Sequence, residues 1–254
     1  MSSDGAVGGV RAPDPRRPAR SGALLDSRAD EYATILRGCL PRELQPLIPY
    51  FAYPDRLKVL AAMLAKHFND VPGKVLNVGC GPFATEFFVL PLRPHRIVSF
   101  DYTRGFVPAH EALARRGHLT NIEFLIGDAT TLEFEPTSFD LVVMHDILYE
   151  PALDFERMLV KYDRYLRPGG LLYLTVLDRG TQWIWKLLSR EKPRVRYSLA
   201  AVRSRLELLG YRVLDCQPAS LQSRNRAKRS FQRVLWHAFG LANQYAILAR
   251  KAHA

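Results

Sequence analysis

Cysteine is scarce in this chain of 254 residues: Cys39, Cys80 and Cys216 are odd in number, widely spaced and free of C-x-x-C pairs. That excludes a disulfide framework and a cysteine-based metal centre, and it predicts a reduced, cytoplasmic setting. Long apolar runs are also missing. None approaches the roughly 18 residues that span a bilayer, and the Arg16-Arg17 pair is followed by polar sequence where a secretory signal needs an apolar stretch. Neither a transmembrane segment nor export is expected. Acidic residues nearly vanish from one long stretch. Between Arg179 and Arg233 fourteen Lys and Arg face only Glu191, Glu207 and Asp215, so this segment holds the whole formal charge of +11. A neutral core with a basic C-terminal third suits attraction of anionic molecules, although the same charge also keeps a protein soluble.

What is present is enough for one sizeable core, with 48% hydrophobic and 24% charged residues. Residues 1–25, rich in Gly, Pro, Ala and Arg without periodicity, read as a disordered tail. Residues 26–70 read as a helical lid, with Leu57, Leu60, Ala61, Leu64 and Phe68 at helical spacing and Pro41, Pro46 and Pro49 as breaks. From residue 71 to 254 strands and helices alternate. Strands are expected at 75–79, 96–101, 122–127, 139–144, 171–177, 211–216 and 245–249, with helices or turns at 83–91, 106–116 and 129–137 and helices at 152–166, 198–209 and 222–242. That order specifies an α/β fold with a parallel sheet. The last helix repeats Phe231, Val234, Leu235 and Ala238 at helical spacing, a stripe expected to seat it on the sheet, with Arg226, Arg229 and Arg233 on another face.

The densest information lies in Val75-Leu-Asn-Val-Gly-Cys-Gly-Pro-Phe-Ala84, where an apolar run halts at Gly79 and Gly81 and a helix can begin at once. Such a turn lets backbone approach a ligand where a Cβ would collide, and Ala84 completes a G-x-G-x-x-A pattern. A second strand-like run, Arg96 to Asp101, ends in an acid 22 residues after Gly79, close to the spacing of a ribose-binding carboxylate. Pro82 removes one of the N–H groups that a pyrophosphate would need, yet it suits the first turn of a helix. An adenosyl ligand without phosphate therefore fits better than a dinucleotide. Gly127-Asp128-Ala129 brings another acid to the same sheet edge, either as an acceptor for an adenine amine or as a helix N-cap.

Leu76-Asn77-Val78-Gly79-Cys80-Gly81, Asp101, Gly127-Asp128-Ala129, Phe139-Asp140-Leu141-Val142-Val143 and Leu166-Arg167-Pro168-Gly169-Gly170 together resemble the successive signature segments of class I S-adenosylmethionine-dependent methyltransferases. The resemblance covers about residues 70–178. It implies a Rossmann-like doubly wound seven-stranded sheet, last strand antiparallel, preceded by extra N-terminal helices, with a substrate-binding insertion near 178–197. It also implies S-adenosyl-L-methionine as cofactor, held by Tyr32, Asn77, Gly79, Cys80, Gly81, Asp101, Tyr102, Asp128, Ala129 and His145. Two positions depart from the pattern: Asn77 stands where an acid is usual and Phe83 where glycine is common. Asn77 keeps an acceptor but lacks the charge that pairs with an ammonium.

Methyl transfer from a sulfonium needs mainly alignment and dehydration, so a general base matters only for a protonated acceptor. Candidates follow the fourth strand, where His145 and Tyr149 are the expected catalytic residues beside Asp146 and Glu150. Tyr50, Tyr53 and Trp183 are expected to wall an apolar substrate hollow, and no metal is expected. The reading is a methyltransferase acting on a small, partly apolar metabolite, an anionic one included, with no stable nucleic-acid partner. Three rivals remain: RNA or protein methylation through the basic third, a non-catalytic nucleotide-binding subunit, and a dehydrogenase. Acceptor atom and oligomeric state, a homo-oligomer included, stay open.

Overall fold

In the computed structural model the described residues are 28–68, 73–90, 96–182, 194–219, 226–239 and 241–253. Helix α1 (Ala29–Cys39), a short helix α2 (Ile48–Phe51) and α3 (Lys58–His67) precede β1 (Lys74–Val78). Then follow α4 (Ala84–Phe88), β2 (Arg96–Asp101), α5 (Val107–Arg115), β3 (Ile122–Ile126), β4 (Phe139–Met144), α6 (Phe155–Asp163), β5 (Leu166–Leu177), α7 (Leu199–Leu208), β6 (Tyr211–Pro218), α8 (Arg226–Phe239) and β7 (Gln244–Lys251). The strands form one sheet in the order β3-β2-β1-β4-β5-β7-β6. The first five are parallel where they pair, and β7 runs antiparallel to both β5 and β6. This is the doubly wound sheet that the alternation of elements specifies.

Both faces of the sheet are covered, which is why its central strands read as continuous apolar runs. Val75, Leu141 and Leu171 face a core shared with α1 and α3, while Leu76, Val142 and Leu172 face one shared with α6 and α7. The order reverses on either side of β1 and β4, which makes their carboxyl ends the usual ligand position in open α/β sheets. Asp154 caps α6 by accepting the Arg157 N–H at 2.8 Å.

Two elements differ from the sequence expectation, the start of β5 and the seating of α8. Residues 129–137 take the turn form of the expected alternatives, because Asp128 is bonded to Thr130 through both its N–H at 2.6 Å and its hydroxyl at 2.7 Å, closing a local turn. Strand β5 begins at Leu166, so Pro168-Gly169-Gly170 lies inside its first half and the pairing with β4 shifts register there. The apolar stripe of α8 does not seat on the sheet. Phe231 and Val234 stay exposed while Trp236 makes the contact, edge-on to Tyr245 with ring centroids 6.3 Å apart.

Helix α4 opens from Phe83 and not from Pro82, and Phe83 holds φ at +68° in the left-handed region. A non-glycine residue there costs about 1–2 kcal/mol, which explains why glycine is the economical choice at this position. The ring offsets the cost: it is fully buried, 4.8 Å from Phe124 and 5.3 Å from His110 between centroids. Phe83→Gly should therefore gain the backbone relief but forfeit a buried ring, for which truncation to Ala costs about 3–5 kcal/mol. A net loss of about 1–4 kcal/mol in urea unfolding is expected, and an unchanged midpoint would show that the ring packs for nothing.

Candidate functional site

The tip of β1 turns through Gly79 and Gly81, both at positive φ, +66° and +58°. A Cβ on Gly79 would sit 2.5 Å from Ile147 Cγ2, so the turn and the segment after β4 touch only because that side chain is absent. The ring of Phe51 lies 3.5 Å from where a Cβ on Gly81 would stand, which brings the N-terminal helical segment onto the turn. Tyr32 approaches from α1, fully buried, and donates to the Pro82 carbonyl at 2.6 Å. Its hydroxyl thus braces the turn from behind.

Asp101, at the tip of β2, accepts from the Gly81 N–H at 3.0 Å and the Thr103 N–H at 2.8 Å. A carboxylate offers about four lone-pair sites, so acceptor capacity remains. Cys80 is buried, its N–H donates to the Phe100 carbonyl at 3.0 Å, and burial pushes its thiol well up. Tyr102 is 78% exposed. Asp128 is also exposed and spends one oxygen on Thr130, and the Ala129 carbonyl accepts from Tyr162 at 3.0 Å.

Asn77 is buried and donates to Glu86 Oε1 at 2.6 Å, and Ser99 donates to the same oxygen. An acid on α4 thus stands beneath Asn77, a contact that no strand motif would reveal because the two positions meet only when the helix packs on the sheet. Burial raises Glu86 above the usual carboxylate range, against the hydrogen bonds from Ser99 and Asn77, and its Oε2 has no partner. A raised folded pKa means that stability falls as pH climbs through the unfolded value near 4.3 toward the folded one. Glu86→Gln keeps both accepted bonds, so its advantage over the parent in thermal melts should grow from pH 4 to pH 8. A constant gap would show that the carboxyl does not titrate in that window.

The densest cluster stands after β4. Asp146, at φ +58° and with its side chain 10% exposed, accepts from Tyr50 and Gln244 and faces Arg56 at 3.2 Å. Its own N–H donates to Thr175 Oγ1 at 2.8 Å. His145 Nε2 lies 3.3 Å from Asp146 Oδ2 but off hydrogen-bond alignment, and its Nδ1 is 3.4 Å from the Tyr173 hydroxyl. Burial pushes Asp146 up, yet His145, Arg56 and the Tyr50 bond together hold it well below the usual carboxylate range. Arg56 stacks over the Tyr50 ring at 4.7 Å, and its Nε is buried without a partner. Although Tyr50 is 44% exposed, its hydroxyl is committed to Asp146. Tyr149 is half-buried, capped by the Arg194 guanidinium at 4.5 Å and pushed up by burial and by the Asp146 charge. Tyr53 donates to Asp55 at 2.9 Å. Trp183 lies outside the described residues.

The structure therefore brings Gly79, Gly81, Asp101, His145, Tyr149 and Tyr50 to one sheet edge. Sequence reading missed Arg56, Glu86, Thr175 and Gln244. Arg56 follows a Tyr-Pro-Asp break and carries no motif; Gln244 opens the last strand, and only its antiparallel return aims it at Asp146.

Residues 70–234 match the methyltransferase domain family. A curated relative, the phthiotriol/phenolphthiotriol dimycocerosates methyltransferase 1 of Mycobacterium ulcerans (strain Agy99), is 33% identical over 114 residues, 44% of this chain and 41% of that protein. The fatty-acid O-methyltransferase of Mycolicibacterium smegmatis (strain ATCC 700084 / mc(2)155) is 34% identical over 110 residues, covering 42% of this chain and 38% of that protein. The matched stretch thus spans less than half the length of either relative. Among solved structures, the Burkholderia thailandensis 1,6-didemethyltoxoflavin-N1-methyltransferase, with bound 1,6-didemethyltoxoflavin and S-adenosylhomocysteine, aligns with a TM-score of 0.57 at 19% identity, over 96% of this chain and 93% of that one. With the family match spanning most of the sequence on a sheet of this topology, the chain belongs to the class I S-adenosylmethionine-dependent methyltransferase family.

Proposed function

We propose that the protein transfers a methyl group from S-adenosylmethionine to a small, partly apolar metabolite. The observation that carries this reading is the meeting of the Gly79–Gly81 turn, bonded to Asp101, with the His145–Asp146 pair on the neighbouring strand tip. When bound, the cofactor supplies an activated methyl on a sulfonium leaving group. Asp101 offers its spare acceptor sites to a ribose diol, and the two glycines admit the ligand against bare backbone. Two buried groups carry an unpartnered atom beside this turn, Arg56 Nε and Glu86 Oε2; they match the carboxylate and ammonium of an amino acid.

Tyr50 and Phe51 close over the strand tips and exclude water, and alignment of the reactants in such a site is worth about 7–11 kcal/mol. His145, turned toward Asp146, accepts a proton when the acceptor is a hydroxyl or an ammonium. Tyr53 and Tyr149 line the acceptor side. An apolar acceptor is supported by the aromatic content of the N-terminal segment and by the fatty acid named as the acceptor of one curated relative.

Calorimetry with S-adenosylhomocysteine tests the cofactor, and a panel of fatty acids, long-chain alcohols and small aromatic amines with labelled S-adenosylmethionine tests the acceptor. Saturable binding below about 1 mM and label transfer to at least one apolar acceptor are expected. Absence of any heat at millimolar ligand would end the enzymatic reading.

A further inference from the structure

Helix α8 sits in an unusual place. Strand β6 ends at Pro218 and β7 begins at Gln244, paired antiparallel with Pro218 opposite Tyr245, so residues 219–243 replace what is ordinarily a turn of 2–5 residues in such a hairpin. The strand directions fix which end of the sheet this excursion occupies. Gln244 lies opposite Leu177, the last residue of β5, and its side chain donates to Asp146. The inserted helix therefore rises from the same carboxyl edge that carries the Gly79–Gly81 turn.

Its surface is not that of an ordinary covering helix. Phe231, Val234 and Phe239 are 42%, 59% and 68% exposed, and Ala227 and Ala238 are exposed beside them, while Leu235 and Trp236 are half-buried. Ala227, Phe231, Val234 and Ala238 recur at helical spacing, so the exposed apolar residues form a stripe and not scattered points. The sequence of α8 contains Arg226, Lys228, Arg229, Arg233 and His237 and no acid. An exposed apolar stripe on an acid-free basic helix is the pattern of a helix lying in a bilayer interface, the stripe in the acyl boundary and the long basic side chains reaching the headgroups. A second copy of this chain is a poor occupant, because it would oppose two helices of like charge. Nucleic acid is a poor one as well, because phosphates give no reason for the apolar stripe.

We propose that α8 docks this protein peripherally on an anionic lipid surface, with the active edge of the sheet turned toward the membrane. No helix among the described residues is long and apolar enough to cross a membrane, so the attachment is interfacial and reversible. Each basic residue near such a surface contributes about fivefold in binding, and the charge of the preceding basic segment adds to it.

Flotation of the full chain with vesicles tests the proposal, using phosphatidylcholine alone and phosphatidylcholine with one-third phosphatidylglycerol. Binding to the anionic vesicles that weakens with salt, and little binding to neutral ones, is expected. The double variants Phe231→Ser/Val234→Ser and Arg229→Glu/Arg233→Glu should each weaken it at least tenfold while keeping parental affinity for S-adenosylhomocysteine and the parental melting temperature. Equal binding by parent and variants, or none to anionic vesicles at low salt, would overturn it. So would a dimer in light scattering that the Ser variant dissolves, which assigns the stripe to a second copy, or RNA binding that only the Glu variant loses. Cofactor calorimetry reads the methyltransferase assignment separately, so loss of one leaves the other standing.

Discussion

Asp146→Ala is expected to cost about 3–5 kcal/mol of stability, the range for breaking a buried ion pair by removing one partner. Arg56 is the reason. Its guanidinium faces Asp146 at 3.2 Å with both side chains at most 15% exposed, and its Nε already lacks a partner, so deletion of the carboxylate strands a buried cation. Gln244, Tyr50 and the Thr175 hydroxyl lose an acceptor at the same moment. Asp146→Asn should cost less, because an amide keeps one acceptor and the residue tolerates the left-handed backbone at φ +58°.

The same carboxylate predicts a pH signature. Its folded pKa is depressed, so its contribution is complete above about pH 5, over an unfolded value near 3.9, and is lost as pH falls through the folded value. Urea unfolding from pH 3 to pH 7 should show the parent gaining stability over this range and Asp146→Asn gaining measurably less. Parallel curves would mean that Asp146 is not ionised in the folded protein. Because Tyr50 and Arg56 belong to the N-terminal helical segment and Asp146 to the segment after β4, the variant should also loosen the former, seen as faster hydrogen exchange in residues 48–57.

His145→Ala is expected to lower kcat by about 10²–10⁴ with a hydroxyl or ammonium acceptor, the usual contribution of a general base. The Asp146 carboxylate 3.3 Å from Nε2 stabilises the imidazolium that forms when the ring takes a proton, and Tyr173 at 3.4 Å fixes the opposite ring edge. Affinity for S-adenosylhomocysteine should change little by comparison. A pH profile separates the two roles that the position allows: a base gives an acidic limb in kcat that the Ala variant lacks, whereas a ring that merely packs beside the adenosyl group changes affinity without altering the limb. Equal turnover in variant and parent would discard the catalytic role.

The core strands were legible because their periodicity is driven by burial on both faces, so Val75, Leu76 and Val78 or Leu141 to Met144 admit few other readings. The glycine turn and Asp101 were legible because they are close in sequence to the strands that position them. Local pattern misled at α8, whose apolar stripe was expected to seat on the sheet and faces outward. Periodicity says that a helix has an apolar side; it does not say what covers that side.

By itself the sequence determined the alternating sheet, the sharp turn after β1 and the family, since each rests on contacts or spacings within a few tens of residues. Only the tertiary structure decided that Glu86 lies beneath Asn77 and accepts its hydrogen bond, and that Tyr50, Arg56, Thr175 and Gln244 converge on Asp146. Those partners lie between 9 and 98 positions apart along the chain. No local pattern encodes them, because a buried charge is satisfied by whichever groups the packed helices and the returning β7 bring within reach.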